Sequence, residues 1–422
     1  MLERYFVRPT TIDQIRASWI AGPIEQYVAW LTTRGYAPRN MFHRIPVLRR
    51  FGEFARARGA TTYEQLPDHI TPFVDLWVQE RGRGRTTARA RKKLASEARN
   101  PIEQMLRLAV PGFMGRARAG WARQPFSVQA GMFFQYLRRE RGLRETSVLH
   151  YRHHLTQFEL YLERIALTDL HALSPAVLGA FIAERGQHLQ RTGLRNLCGV
   201  LRVFLRYVRR ERLTPKDLSV AIESPQAYRL STLPRSITWD EVRRMLETVE
   251  RRTAAGKRDY AILLLLVTYG LRAREVAALT VDDLDWKRDR LRVPERKAGH
   301  STAYPLSPTV GSALLDYLQH ARPKTAERQV FYRVLAPHTP LTMSAVASRA
   351  AYYLHRAGVS GPRLGSHTLR HTCVQRLVDA EFPFKVIGDY VGHRAAASTE
   401  IYTKVATEAL REVALGDGEA IL

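Results

Sequence analysis

The chain has 422 residues, more than one ordinary domain needs, so two or three domains are expected. Hydrophobic residues at 45% and charged residues at 25% suit a globular protein. The longest strongly apolar run, Ala261 to Val267, falls far short of the ~20 residues of a membrane span. The start, Leu2-Glu3-Arg4, shows no apolar signal core, so a secretory signal is not expected. The two cysteines, Cys198 and Cys373, exclude a disulfide framework and a cysteine zinc finger, and a reducing cytoplasm fits them. Lys plus Arg number 66 and Asp plus Glu 40, a formal charge of +26 that repels itself unless a polyanion is the partner. Residues 1–230 hold 38 basic and 19 acidic residues, and residues 231–422 hold 28 and 21. The excess is spread over the chain, which predicts a nucleic-acid footprint built by folded domains and a cytoplasmic, nucleoid-associated location.

Gly and Pro interrupt helical patterning at 111–125 and 224–235, which read as linkers. They leave a helical segment 1–110, a second helical segment 126–223 and a mixed segment 236–422. The first two look like an internal repeat. Tyr27 to Leu31 precedes Arg34-Gly35, as Phe133 to Leu137 precedes Arg141-Gly142; Gly35 to Gly142 and Phe51 to Phe158 are both offset by 107. Each copy reads as four or five short amphipathic helices, with His153-His154 on a helix face.

In the third segment Thr238 caps a helix running to Glu250, and Arg258 to Tyr269 is a buried helix ended by Gly270. Arg274 to Leu279 begins another. Asp285–Val293 and Thr302–Leu306 alternate as strands joined by a turn at 297–300. Helices are expected at 308–321, 342–358, 367–380, 383–391 and 396–413. The fold class is mainly α with a small β-sheet, that is α+β. Tyr269, Tyr352 and Tyr353 read as core, and Asp282, Asp283 and Asp285 as a solvated turn.

Single polar residues of this segment are unremarkable, but their order forms a constellation. Arg272 follows a helix-ending glycine, and Glu275 three residues on can share its helix face. Lys297 sits at the hairpin turn. His367 and Arg370 lie three apart on one helix, Val391-Gly392-His393 ends another, and Tyr402 follows nine residues later. Two Arg, a Lys, two His and a Tyr without a carboxylate cluster suit phosphoryl transfer through a covalent tyrosine. Guanidinium groups hold the non-bridging oxygens. Arg charge lowers the phenol pKa, a His accepts its proton, and the Lys protonates the leaving 5′-oxygen. With arginines on the phosphate, metal ions are unnecessary.

The stretches Thr268-Tyr-Gly-Leu-Arg-Ala-Arg-Glu-Val, His367-Thr-Leu-Arg-His-Thr, Val391-Gly-His and Ile401-Tyr-Thr-Lys carry a resemblance. Residues 236–422 resemble the catalytic domain of the tyrosine recombinase (phage integrase) family, and 126–223 resembles its helical core-binding domain. The resemblance implies catalytic Arg272, Glu275, Lys297, His367, Arg370 and His393, with Tyr402 the nucleophile and His371 a packing residue. It implies double-stranded DNA at specific sites as substrate, a homotetramer in the synaptic complex, room for an accessory protein, and neither metal nor cofactor. Residues 1–110 depart from the two-domain pattern. A type IB topoisomerase uses similar chemistry on one duplex; the apolar helical spacing of Val405 to Leu415, suited to docking on another protomer, favours recombination. A decayed DNA-binding regulator is the other alternative, and the intact constellation weighs against it.

Overall fold

The computed structural model describes residues 2–6, 8–82, 87–115, 124–226, 236–294, 301–361 and 364–392. The chain divides into two compact units, one from residues 1–109 with 232–422, the other from 110–231.

Residues 1–109 form α1 (Pro9–Arg16), α2 (Ala21–Thr33), α3 (Pro38–Ala57), α4 (Leu66–Arg81) and α5 (Ala88–Ala109), with a 3-10 turn at Tyr63–Gln65. Pro9 and Pro38 sit in the first turns of α1 and α3, where no amide donor is required. Phe51 and Phe73 meet edge to face in the core, 5.4 Å between centroids. Trp19 donates to the Gly52 carbonyl at 2.8 Å.

The second unit holds α6 (Phe133–Arg139), α7 (Glu145–Arg164), a 3-10 turn at Leu170–Ala172, α8 (Pro175–Gly186) and α9 (Arg191–Arg210). Six buried phenylalanines, Phe126, Phe133, Phe134, Phe158, Phe181 and Phe204, fill the interior of its described residues. His154 does not lie on an outer face as the sequence pattern suggested. It is buried, and burial first, then the charges of His150, His153 and Arg185, push its pKa down to about 4.

Part of the two helical stretches falls at a common spacing. Pro38–Ala57 and Glu145–Arg164 are separated by 107 positions at both ends, as are the 3-10 turns at Tyr63–Gln65 and Leu170–Ala172. Left-handed backbone recurs at the same spacing, at Gly35 (φ 71°) and Gly142 (φ 59°), and at Gly59 (φ 88°) and Ala166 (φ 56°).

Residues 236–392 comprise α10 (Trp239–Glu247), α11 (Ala254–Thr268), α12 (Ala273–Ala278), α13 (Pro308–His320), α14 (Met343–Arg356), α15 (Ser366–Asp379) and α16 (Phe384–Val391). Side-chain oxygens of Thr238, Thr253, Ser307 and Thr342 accept backbone N–H groups and start four of these helices. Ala261 to Val267 is buried on every face, so α11 is the central helix of this core. Arg258 and Asp259 pair inside it at 2.7 Å, and the Tyr353 hydroxyl donates to Asp259 at 3.1 Å.

Three strands form an antiparallel meander, β1 (Leu284–Asp285), β2 (Arg290–Val293) and β3 (Thr302–Pro305). Leu284 faces Leu291, and Leu291 faces Tyr304. The expected strand 285–293 is therefore two strands. The Asp285 carboxylate accepts the amides of Lys287 and Arg288 at 3.2 and 3.1 Å, reversing the chain, and Asp289 takes φ 48°. Asp283 is not solvated either; it is buried and accepts from the Thr280 amide and hydroxyl at 2.9 and 2.8 Å. Tyr269 and Tyr353 are core, whereas Tyr352 is 44% exposed. The expected helix 396–413 lies outside the described residues.

Candidate active site

Arg272 is the residue before α12, and its placement is local in origin. The Glu275 carboxylate accepts from the Arg272 amide with one oxygen and from its guanidinium with the other, both at 2.8 Å. Glu275 is 5% exposed, so this charge-assisted pair operates away from bulk water. The far side of the Arg272 guanidinium donates to the Gly392 carbonyl at 2.9 Å.

Arg370 projects from α15 and is 4% exposed. One of its nitrogens donates to the Gly270 carbonyl and another to the Val391 carbonyl at 2.6 Å. Both guanidiniums thus converge on the end of α16, on the two residues before position 393. Gly392 ends α16 in left-handed backbone, φ 66°. Gly270, φ 58°, lies so close to its neighbours that a Cβ there would stand 3.1 Å from Val391 Cγ1 and 3.2 Å from Cys373 Sγ.

His367 lies one turn before Arg370 on the same helix, exposed at the mouth of the cluster. Desolvation of its ring, then the charges of Arg370 and Arg272, push its pKa below 6.5. At neutral pH it is therefore an uncharged imidazole, able to accept a proton. His371 is driven further down, to about 4, chiefly by burial.

Three tyrosines tie these parts together, and sequence reasoning missed two of them, Tyr304 and Tyr390. The Tyr304 hydroxyl donates to the Tyr390 carbonyl, and the Tyr390 hydroxyl donates to the Thr268 carbonyl at 3.1 Å. Tyr269 donates to the Pro305 carbonyl at 2.9 Å and accepts the Ser307 amide at 3.0 Å. The hairpin strand β3, the end of α11 and α16 are held in one arrangement. The only sequence signal was the inward position of Tyr304 in an alternating strand.

The structure therefore brings together Arg272, Glu275, His367 and Arg370. Lys297, His393 and Tyr402 lie outside the described residues. The described residues that flank them are residue 294 at the end of β2, residue 301 before β3 and Gly392. Among the described residues no group of His, Cys, Asp and Glu is arranged to hold a metal ion.

The phage integrase family matches residues 235–409, and its N-terminal SAM-like domain matches residues 131–212. The chain belongs to the phage integrase family. It is a site-specific tyrosine recombinase, a DNA strand-transfer enzyme. Among relatives, it is 29% identical over 404 residues to the putative integrase/recombinase y4rA of Sinorhizobium fredii, covering 93% of this chain and 94% of that one. It is 29% identical over 286 residues to the tyrosine recombinase XerD of Yersinia pestis, covering 67% of this integrase and 94% of XerD. In fold it is similar to XerH bound to palindromic difH substrate in a post-cleavage complex, with TM-score 0.53, 18% identity, and coverage of 64% of this chain and 79% of that one. It is likewise similar to a lambda integrase tetramer bound to a Holliday junction, with TM-score 0.52, 16% identity, and coverage of 71% and 85%. Among the described residues of this integrase no helix is long and apolar enough to cross a membrane.

Two measurements probe the cluster. Gly270→Ala forces a Cβ into left-handed backbone and against Val391, and is expected to destabilise by ~1–3 kcal/mol. An unchanged denaturation midpoint would show that the tight approach is not needed. The His367 imidazole, followed by NMR, is expected to titrate below 6.5 and to be neutral at pH 7. A midpoint above 6.5 would contradict the placement of the two arginines beside it.

Proposed function

We propose that Tyr402 of this recombinase attacks a DNA phosphodiester held by Arg272 and Arg370. A phosphorus–oxygen bond forms to the phenol oxygen, the bond to the 5′-oxygen breaks, and a 3′-phosphotyrosyl link remains. The phenol proton passes to a histidine, His367 or His393, and Lys297 supplies the proton to the leaving 5′-hydroxyl. A 5′-hydroxyl from a partner duplex then reverses the step. One phosphate ester replaces another, so the bond energy is retained and ATP is not consumed. The guanidiniums supply the positive charge that a metal ion would supply elsewhere. Glu275 orients Arg272.

The observation that carries this reading is the convergence of Arg272 and Arg370 on the Val391 and Gly392 carbonyls. It supports a phosphate site formed at the residues that precede His393. Residues 236–422 act as the catalytic domain and 126–223 as the core-binding domain, gripping the duplex mainly through backbone phosphates. Two duplexes must meet, so the working form is a homotetramer on DNA. A recombinase reading chromosomal sites works in the cytoplasm, at the nucleoid.

Trapping on nicked suicide substrates made from DNA flanking the gene tests the covalent step. Tyr402→Phe removes one hydroxyl and is expected to bind DNA yet form no SDS-resistant adduct; adducts at the normal rate would exclude Tyr402 as nucleophile. Arg272→Ala is expected to slow cleavage about 100- to 1,000-fold, the usual loss for one oxyanion-type donor, with a far smaller loss of affinity. Chelation with EDTA should leave the rate unchanged. Cleavage abolished by EDTA and restored by magnesium would overturn the metal-free mechanism.

A further inference from the structure

The catalytic cluster makes no use of a groove of about 780 Å³ among α3, α4 and α5 of the N-terminal helices. A smaller groove of about 340 Å³ lies between α7 and α9 of the second unit. The two occupy equivalent places. With the 107-residue spacing of α3 and α7, His43 and Arg44 stand where His150 and Tyr151 do. The last long helices, α5 and α9, superpose in pattern at a spacing of 99, since buried Ile102, Met105 and Leu106 then match buried Leu201, Phe204 and Leu205. At that spacing Ser96 and Glu97 stand where Arg195 and Asn196 do, and Asn100 and Pro101 where Gly199 and Val200 do. Six of the eight residues lining the smaller groove thus have counterparts lining the larger one. Phe42, 49% exposed, lines the larger groove, and Leu149, 107 residues on and 38% exposed, is the chain neighbour of His150 in the smaller one. Coincidence of two unrelated helical folds does not produce the same groove at the same positions.

Seven of the eight residues lining the smaller groove fall within the SAM-like match at 131–212, whereas the N-terminal helices fall outside it. The N-terminal groove adds charge. Arg81 and Lys93 are exposed along it, with Glu97 as its one carboxylate. The Arg81 guanidinium stacks 4.0 Å from the centroid of the buried Trp77 ring, which fixes its plane and direction. Arg44 is committed to structure, donating to Tyr27 and Gln104 at 2.6 and 2.7 Å.

We propose that residues 1–109 are a second copy of the SAM-like unit and that their groove is a second docking surface for duplex DNA, gripping phosphates with Arg81 and Lys93. The proposal rests on the reading of residues 126–223 as a DNA-contacting unit. The basic rim complements the phosphate backbone, and the exposed Phe42 suits the apolar sugar edge or a thymine methyl. Each recombinase protomer then covers duplex beyond the stretch held by its second unit and catalytic domain.

The test uses the full chain and a 40-base-pair duplex of mixed sequence, with binding measured across a salt series and the occluded length by titration. Arg81→Gln with Lys93→Gln is expected to make the log–log salt slope shallower by ~1.8, about 0.9 for each phosphate no longer neutralised, and to shorten the occluded length. Arg56→Gln with Arg58→Gln removes equal charge at the far end of α3, about 14 Å or more beyond Val47 of the groove, and is expected to leave both unchanged. Thermal melts confirm that the variants fold. An equal effect of the control pair would overturn the proposal, because the charge would then act diffusely. An unchanged slope and length in the groove variant would also overturn it, including where only assembly of protomers fails. Arg195→Gln, in the second unit's groove, separates the two readings. If it weakens the slope while the N-terminal variant does not, the core-binding reading stands and this inference fails; if neither responds, both fail.

Discussion

The arrangement depends on one buried cation. Arg370 is taken out of water at the centre of the catalytic core, where an unpaired charge would cost several kcal/mol, of the order of the penalty for burying one ion. It is satisfied by two backbone carbonyls, of Gly270 and Val391, which belong to the turn after α11 and the end of α16. Because a carbonyl dipole moves only with its backbone, the requirement locks three chain segments together. Arg272 repeats the device on the next carbonyl, that of Gly392. The result is two fixed guanidiniums at a helix end, the preorganisation that the proposed phosphoryl transfer would use.

The rest of the catalytic core serves that lock. The central helix α11 is apolar on every face and carries the chain to Gly270. The left-handed turn there, tight against Cys373 and Val391, aims the Gly270 carbonyl inward and releases Arg272 to begin α12. The Tyr269, Tyr304 and Tyr390 hydroxyls extend the same constraint to the hairpin. Displacement of the hairpin would therefore be felt at the arginines. The histidine beside them is held below its ordinary pKa by desolvation and by the charges of the same two arginines.

Outside this core, two helical stretches share the 107-residue spacing of one long helix, one 3-10 turn and two left-handed residues. The buried positions keep apolar character, since packing tolerates little else. The groove positions differ, Tyr151 against Arg44 and Arg195 against Ser96, and Arg44 serves as a donor to Tyr27 and Gln104.

Much of this was legible in the residues alone. The helix cap at Thr238, the apolar run of α11 and the 107-residue spacing are local or periodic signals, so a linear pattern carries them. The family and the four described members of its constellation followed from short motifs, because Arg272 with Glu275 and His367 with Arg370 sit three apart on single helices. Where local polar chemistry overrode alternation, the pattern misled: Asp285 turned one expected strand into two, and Asp283 became a buried cap. Sequence alone singled out Arg272, Glu275, His367 and Arg370 as candidates for the chemistry. Only the tertiary structure decided that both guanidiniums are held by carbonyls at the end of α16, that His367 is neutral and that Tyr304 braces the hairpin. Those contacts join residues 21 to 120 positions apart, and no local rule encodes which backbone oxygen a distant side chain will meet.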